Sequence, residues 1–172
     1  MKSVPVDTDS VLKRLRIAVI LGRDAASAAR LLARRIAEPG LFLGQKSAFA
    51  EGDAFAAEER SMFLKGEKLL PLMSPDEQRL AATPWLERTP EDLALADLYF
   101  EEAAVTAWAL GLLPELPPSP AAAAPEPIYD ALRAASSGAK KPRLRSFDDI
   151  ARAASTTDGL RATCFRKLLG EG

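Results

Sequence analysis

Thr89-Pro90-Glu91-Asp92 is followed by eighteen residues without proline or glycine, and the run closes at Trp108-Ala109-Leu110-Gly111. A threonine that can cap, a proline at the first helical position and an acid three residues on form a strong helix start. Gly111 and then Pro114, Pro117 and Pro118 stop the helix. The spacing predicts one helix from Pro90 to about Gly111, roughly 30 Å long at about 1.5 Å per residue. Leu95, Leu98, Tyr99, Val105, Ala109 and Leu113 share one stripe of it, and so long a stripe must be covered by other elements. The expected class is therefore all-α: an irregular multi-helix bundle around a long central helix (about 90–111), a Pro/Ala-rich connector and a small helical C-terminal tail.

Other start and stop signals fill in the bundle. Ser74-Pro75-Asp76-Glu77 predicts a second capping box. Residues 9–21 read as a helix with Asp9 or Ser10 as cap and Gly22 as stop. A buried strand over Arg16–Leu21 is the alternative, although such a strand would have no evident partner. Asp24 is then expected to cap a helix to about Ala37, with Ala25, Ala28, Leu32 and Ile36 on its apolar face and Arg30 and Arg34 opposite. Residues 40–53 hold three glycines and no clean period, which predicts a loop, and a helix near Ala54–Lys65 follows.

The prolines from Pro114 to Pro127 predict an extended connector. Beyond it come a helix near Ile128–Ala135, a linker, a helix begun by Ser146 and a helix over about 157–169 carrying Leu160, Cys164 and Leu168. The expected division is a main domain (1–115), a connector (116–127) and a C-terminal helical segment (128–172).

Several chemistries are excluded by residue type. The 172 residues contain no histidine and one cysteine. Catalysis through Ser-His-Asp or Cys-His, His-ligated metals and multi-cysteine zinc sites are therefore absent. No Gly-rich phosphate loop is present either. Catalytic, metal and cofactor-binding residues are accordingly expected to be none, with Cys164 a packed core thiol. A single cysteine suits a reducing compartment and no stretch is long enough for a membrane span, so a cytoplasmic protein is expected.

Charge comes in blocks. Residues 1–50 carry nine Lys+Arg against four Asp+Glu, residues 51–102 five against thirteen, and residues 127–172 nine against five. The blocks are expected largely to neutralise one another. Lys140-Lys141-Pro142-Arg143-Leu144-Arg145 is the one dense basic run. It lacks interleaved aromatics, which favours a solvated linker over nucleic-acid binding.

Two places on the central helix are candidates for function. Glu102 projects into the apolar stripe and needs a partner, for which Arg14 and Arg35 are the candidates. The pair is read either as a structural ion pair fixing helix register or as a site carboxylate. Asp97, Glu101 and Trp108 fall on another side, as an acidic strip with an aromatic end that serves either for docking or as a second packing layer.

The segment from Leu72-Met73-Ser74-Pro75-Asp76-Glu77 to Leu116-Pro117 resembles a bacterial family labelled domain of unknown function 4272. The likeness is carried by Ser74 with Glu77, by Tyr99-Phe100-Glu101-Glu102-Ala103, and by Trp108-Ala109-Leu110-Gly111 with Glu115-Leu116-Pro117. Leu144-Arg145-Ser146-Phe147-Asp148-Asp149-Ile150 is similar to a later helix of the family. Tyr99 and Phe100 stand where the family has tryptophan and arginine. The resemblance implies a helical bacterial protein and brings no activity. The expectation is a non-catalytic interaction protein, an adaptor, immunity-type or secretion-accessory module, with a protein partner and no membrane. The alternatives are an enzyme or small-ligand binder at Glu102, or nucleic-acid association through residues 140–145.

Overall fold

The computed structural model describes residues 7–43, 46–119, 121 and 124–169. All regular structure among them is helical: α1 (Thr8–Ala37), α2 (Pro39–Leu43), α3 (Lys46–Gly66), α4 (Pro75–Ala82), α5 (Pro90–Ala109), α6 (Glu126–Ser136), α7 (Phe147–Ser155) and α8 (Gly159–Leu169). The strand alternative at Arg16–Leu21 is excluded. None of these helices is long and apolar enough to cross a membrane.

The chain groups differently from the expected division at 116–127. One unit, the terminal unit, combines Met1–Ile20 with Asp97–Gly172, and the other, the inserted unit, is Leu21–Ala96. The C-terminal segment thus belongs with the start of α1 and with α5.

Both capping boxes form. The Ser74 hydroxyl accepts from the Glu77 amide at 3.2 Å while the Glu77 carboxylate accepts from the Ser74 amide at 2.9 Å. Thr89 and Asp92 make the same reciprocal pair at 3.2 and 3.1 Å. Arg79 donates to Asp92, and this hydrogen bond holds the Asp92 carboxyl below the usual range.

Five expectations are overturned. Gly22 does not stop a helix and Asp24 does not start one, because α1 runs through both to Ala37. A helical glycine costs about 1 kcal/mol, and the complete burial of Leu21, Ala25 and Ala28 around it outweighs that cost. The cap of α1 is Asp7, whose carboxylate accepts from the Ser10 amide at 3.0 Å. Residues 46–53, expected as loop, form the first two turns of α3. That helix is anchored by Asp53, which accepts from the amides of Trp85 and Leu86 at 2.7 and 2.8 Å. On the far stripe of α1, Ile36 is exposed rather than packed.

In the inserted unit α3 packs on α4 and on the short turn Trp85–Glu87. In the terminal unit α7 pairs with α8. Val105 and Ala109 of α5 form a core with Ile150, Cys164 and Phe165. Phe165, fully buried, takes the position expected of Leu160, which is exposed.

The end of α5 is closed from two directions. Gly111, at φ +66°, makes the left-handed turn, with its amide on the Trp108 carbonyl and the Leu112 amide on Ala107, each at 2.9 Å. The basic run then supplies donors to the remaining carbonyls. The Arg143 amide donates to Leu110, the Arg145 amide to Ala109, the Arg145 side chain to Trp108, Leu113 and Pro114, and Lys140 to Leu112. Cations here also oppose the negative end of the helix dipole. The run is therefore a C-terminal clasp rather than the expected solvated linker.

A methyl group on Gly111 would lie 3.2 Å from the Arg143 carbonyl oxygen, in a backbone conformation that alanine adopts at a cost of about 1–2 kcal/mol. Gly111→Ala is expected to destabilise by about 1–3 kcal/mol, read as a lowered thermal midpoint in circular dichroism. Gly52→Ala, inside α3 with nothing within 4 Å of the added methyl, is expected to raise the midpoint in the same measurement.

Candidate functional site

Glu101 and Glu102 are adjacent on α5, so they point to directions about 100° apart. Both are buried, and each has its own cationic partner. Glu102 receives Nε and Nη2 of Arg14 from α1, the latter at 2.9 Å, and Nζ of Lys167 from α8 at 3.2 Å. Of the two arginines expected near it, Arg14 is the partner, and Arg35 is exposed in the last turn of α1. Lys167 was not foreseen. Its i+3 spacing from Cys164 on a short amphipathic segment is the only sequence signal for it.

Glu101 decides between the two readings of the Asp97, Glu101 and Trp108 side, against a docking strip. It is 1% exposed and accepts from Arg161 Nε at 2.6 Å, Ser119 Oγ at 2.7 Å and the Ala121 amide at 2.8 Å. Residues 119 and 121 are thereby tied to α5, where an extended connector was expected. Trp108 lies edge-on to Phe165, with ring centroids 5.7 Å apart, and beneath the Arg145 guanidinium at 4.5 Å. It belongs to a second packing layer. Of the strip only Asp97 is exposed, and Tyr99 is buried.

The cause is the all-round burial of α5 from Tyr99 to Ala107. The uncharged run Ala103-Ala104-Val105-Thr106-Ala107 was the sign of it.

Arg14, Glu102 and Lys167 border a recess of about 260 Å³ whose other walls are Ser10, Val11, Thr106, Cys164 and Leu168. The Cys164 thiol is pushed up to about 12, first by burial and then by the nearby Glu102 and Glu101 carboxylates. It is neutral at physiological pH and supplies no nucleophile. The linkage has a definite sign: below about pH 9 the thiol is protonated both folded and unfolded. Between there and about 12 the unfolded chain loses this proton first, so stability falls. Urea midpoints of the parent are expected to decline across that window more steeply than those of Cys164→Ala.

The inserted unit has a third buried network. Asp24 accepts from Trp85 Nε1 at 2.5 Å, pairs with Arg60 at 3.0 Å and pairs closely with Arg88. Arg88 also donates to the Leu80 carbonyl at 2.9 Å. Its Nε and Nη1 are buried without a partner among the described residues. Burial lowers the pKa of Arg60, an effect that Asp24 partly offsets.

The same unit carries six of the eight large exposed apolar side chains among the described residues: Ile36, Leu43, Phe55, Met62, Phe63 and Leu72. Three are on α3, whose buried and half-buried side chains among the described residues are Asp53, Ala56, Ala57, Arg60, Ser61 and Leu64. Phe55 and Met62 are seven residues apart and fall on one line of the outer face, with Phe63 beside them. Glu51, Glu58 and Glu59 flank this line and are exposed.

Among the described residues no three His, Cys, Asp or Glu side chains come together as a ligand set for a metal ion. No family model, no curated protein and no solved structure matches this chain.

Proposed function

We propose that the chain is a non-catalytic protein-interaction module that docks a basic, amphipathic helix of a partner protein on the outer face of α3. The observation that carries this reading is the exposure of Phe55, Met62 and Phe63, at 60%, 57% and 55%, on a single helix. A monomer seldom leaves large apolar side chains grouped in this way, and aromatics and methionine are the residue types enriched at interface centres. Phe55 and Met62 present anchors at i and i+7, the spacing by which one helix receives another.

Charge selects the partner. Glu51, Glu58 and Glu59 border the apolar line, against a single nearby Lys65, so lysines or arginines on the partner's flanks complete the contact. Gly52 lies on the same face, where a Cβ would meet no described residue outside the helix's own backbone within 4 Å, so an incoming backbone can come close there.

Glu101 and Glu102 of α5 and the Lys140 and Arg145 side chains of the basic run are engaged within the chain, which argues against catalysis at Glu102 and against nucleic-acid binding through the run. The resemblance to the domain of unknown function 4272 family is in keeping with a bacterial, cytoplasmic module and adds no activity.

A photocrosslinking residue placed at Phe55 or Met62 in the native host tests the proposal, with the exposed Phe147 of α7 as control. Crosslinks to one partner are expected from positions 55 and 62 and not from 147. They should map to a helical segment bearing Lys or Arg and disappear in Glu58→Lys/Glu59→Lys. Crosslinking to a second copy of this chain, to an acidic segment, or to nothing would contradict it.

A further inference from the structure

The end of α1 and the helix that follows it carry the two most exposed large apolar side chains among the described residues, Ile36 at 82% and Leu43 at 79%. Neither belongs to the α3 line. The apolar stripe of α1 is buried at Ala25 and Ala28, half-buried at Leu32 and uncovered at Ile36. It therefore runs on past the core that covers it. Each of the eight residues from Ala33 to Gly40 is exposed, so the last turn of α1 and the start of α2 form a projecting tip.

Arg30 and Arg34 stand opposite the apolar stripe, with Arg35 between the two faces. Residues 30–43 hold these three arginines against one acid, Glu38, which pairs with Arg34 at 3.5 Å. Arg30 donates to the Ser27 hydroxyl, and neither Arg30 nor Arg35 is paired with an acid among the described residues. The negative end of the α1 dipole, equivalent to about half a charge, offsets only part of this surplus. Uncommitted positive charge is left beside bare aliphatic side chains.

That combination suits one kind of surface. A protein partner needs roughly 800 Å² on its own side of a stable interface and a shape matched to it, and a tip exposed at every position offers no such face. A bilayer closes around a projecting side chain without a matching groove, and anionic headgroups draw in the arginines. No helix among the described residues is long and apolar enough to cross a membrane, so the contact is a peripheral one.

We infer that the tip made by the end of α1 and by α2 inserts Ile36 and Leu43 into an anionic lipid surface, with Arg30, Arg34 and Arg35 at the headgroups. The expectation of no membrane is thereby narrowed to no membrane span. The inference does not rest on the α3 reading, and either can fail while the other stands.

Cosedimentation of the full-length protein with vesicles of equal parts phosphatidylcholine and phosphatidylglycerol tests it. Binding is expected at low salt, weakened by added salt and at least tenfold weaker to phosphatidylcholine alone. Ile36→Ser/Leu43→Ser and Arg30→Glu/Arg35→Glu, all at exposed positions, should each weaken it at least tenfold, and Phe55→Ser/Met62→Ser should leave it unchanged. A photocrosslinking residue at position 36 in the native host should label lipid. No binding to the mixed vesicles, equal binding to phosphatidylcholine alone, or full binding by either tip variant would overturn the inference. So would loss of binding in Phe55→Ser/Met62→Ser, or crosslinks from position 36 to a protein.

Discussion

Asp24→Ala is expected to cost about 3–5 kcal/mol, the range for removing one partner of a buried ion pair. The Arg88 side chain is completely buried, and without Asp24 the Leu80 carbonyl alone is left to its guanidinium. Two of its nitrogens already lack partners among the described residues, so nothing nearby can absorb the charge. Trp85 loses the acceptor of its indole N–H at the same time, and Arg60 loses its carboxylate. Urea unfolding followed by tryptophan fluorescence should show the midpoint lowered accordingly. Asp24→Leu/Arg88→Met should lose less than Asp24→Ala, because it removes both charges together and fills the space with apolar atoms. A double variant as unstable as the single one would show that the charges themselves hold this unit.

Glu101→Ala is the second large effect, about 3–5 kcal/mol for the same reason. Arg161 keeps a mostly buried guanidinium, 12% exposed in its side chain, whose Nη2 already has no partner among the described residues. The buried Ala121 amide loses its acceptor among the described residues, which alone costs about 1–3 kcal/mol. Glu101→Gln separates the two contributions, since the amide oxygen can still accept from Ala121 while the charge is gone. Hydrogen exchange should therefore find the Ala121 amide protected in the parent and in Glu101→Gln, and unprotected in Glu101→Ala. Protection unchanged in Glu101→Ala would mean that residues 119–121 are not held by this carboxylate.

What could be read from the sequence was governed by local physics. The boxes at Ser74 and Thr89, the length of α5, its stop at Gly111 and the cap at Ser146 depend on groups within a few residues of one another, and all of them appear. Local rules failed where a distant group decided the outcome. Asp24 has the makings of a helix cap, and only the arrival of Arg88, Arg60 and Trp85 makes it an interior acid of α1. Lys140 to Arg145 has the composition of a solvated linker, and only the open carbonyls at the end of α5 make it a clasp.

The α5 acids divided in the same way. Glu102 could be assigned to the interior because it falls within a visible apolar stripe, and Arg14 lay on the expected helix. Glu101 could not, because a helix buried on every side has no polar face to reveal. The outer face of α3 was hidden for another reason, as Gly44 and Gly52 suggested loop where a helix runs from Lys46.

The central claim is that the buried acids and arginines hold the chain together while the outer face of α3 is left for a partner. The most direct test is the thermal midpoint of Phe55→Ser/Met62→Ser. Exposed positions change stability by no more than about 0.5 kcal/mol each, so a midpoint within about 4 °C of the parent is expected for a chain of this length. A fall of 10 °C or more would show that these side chains are covered by the chain's own structure, and the face would not be a free one.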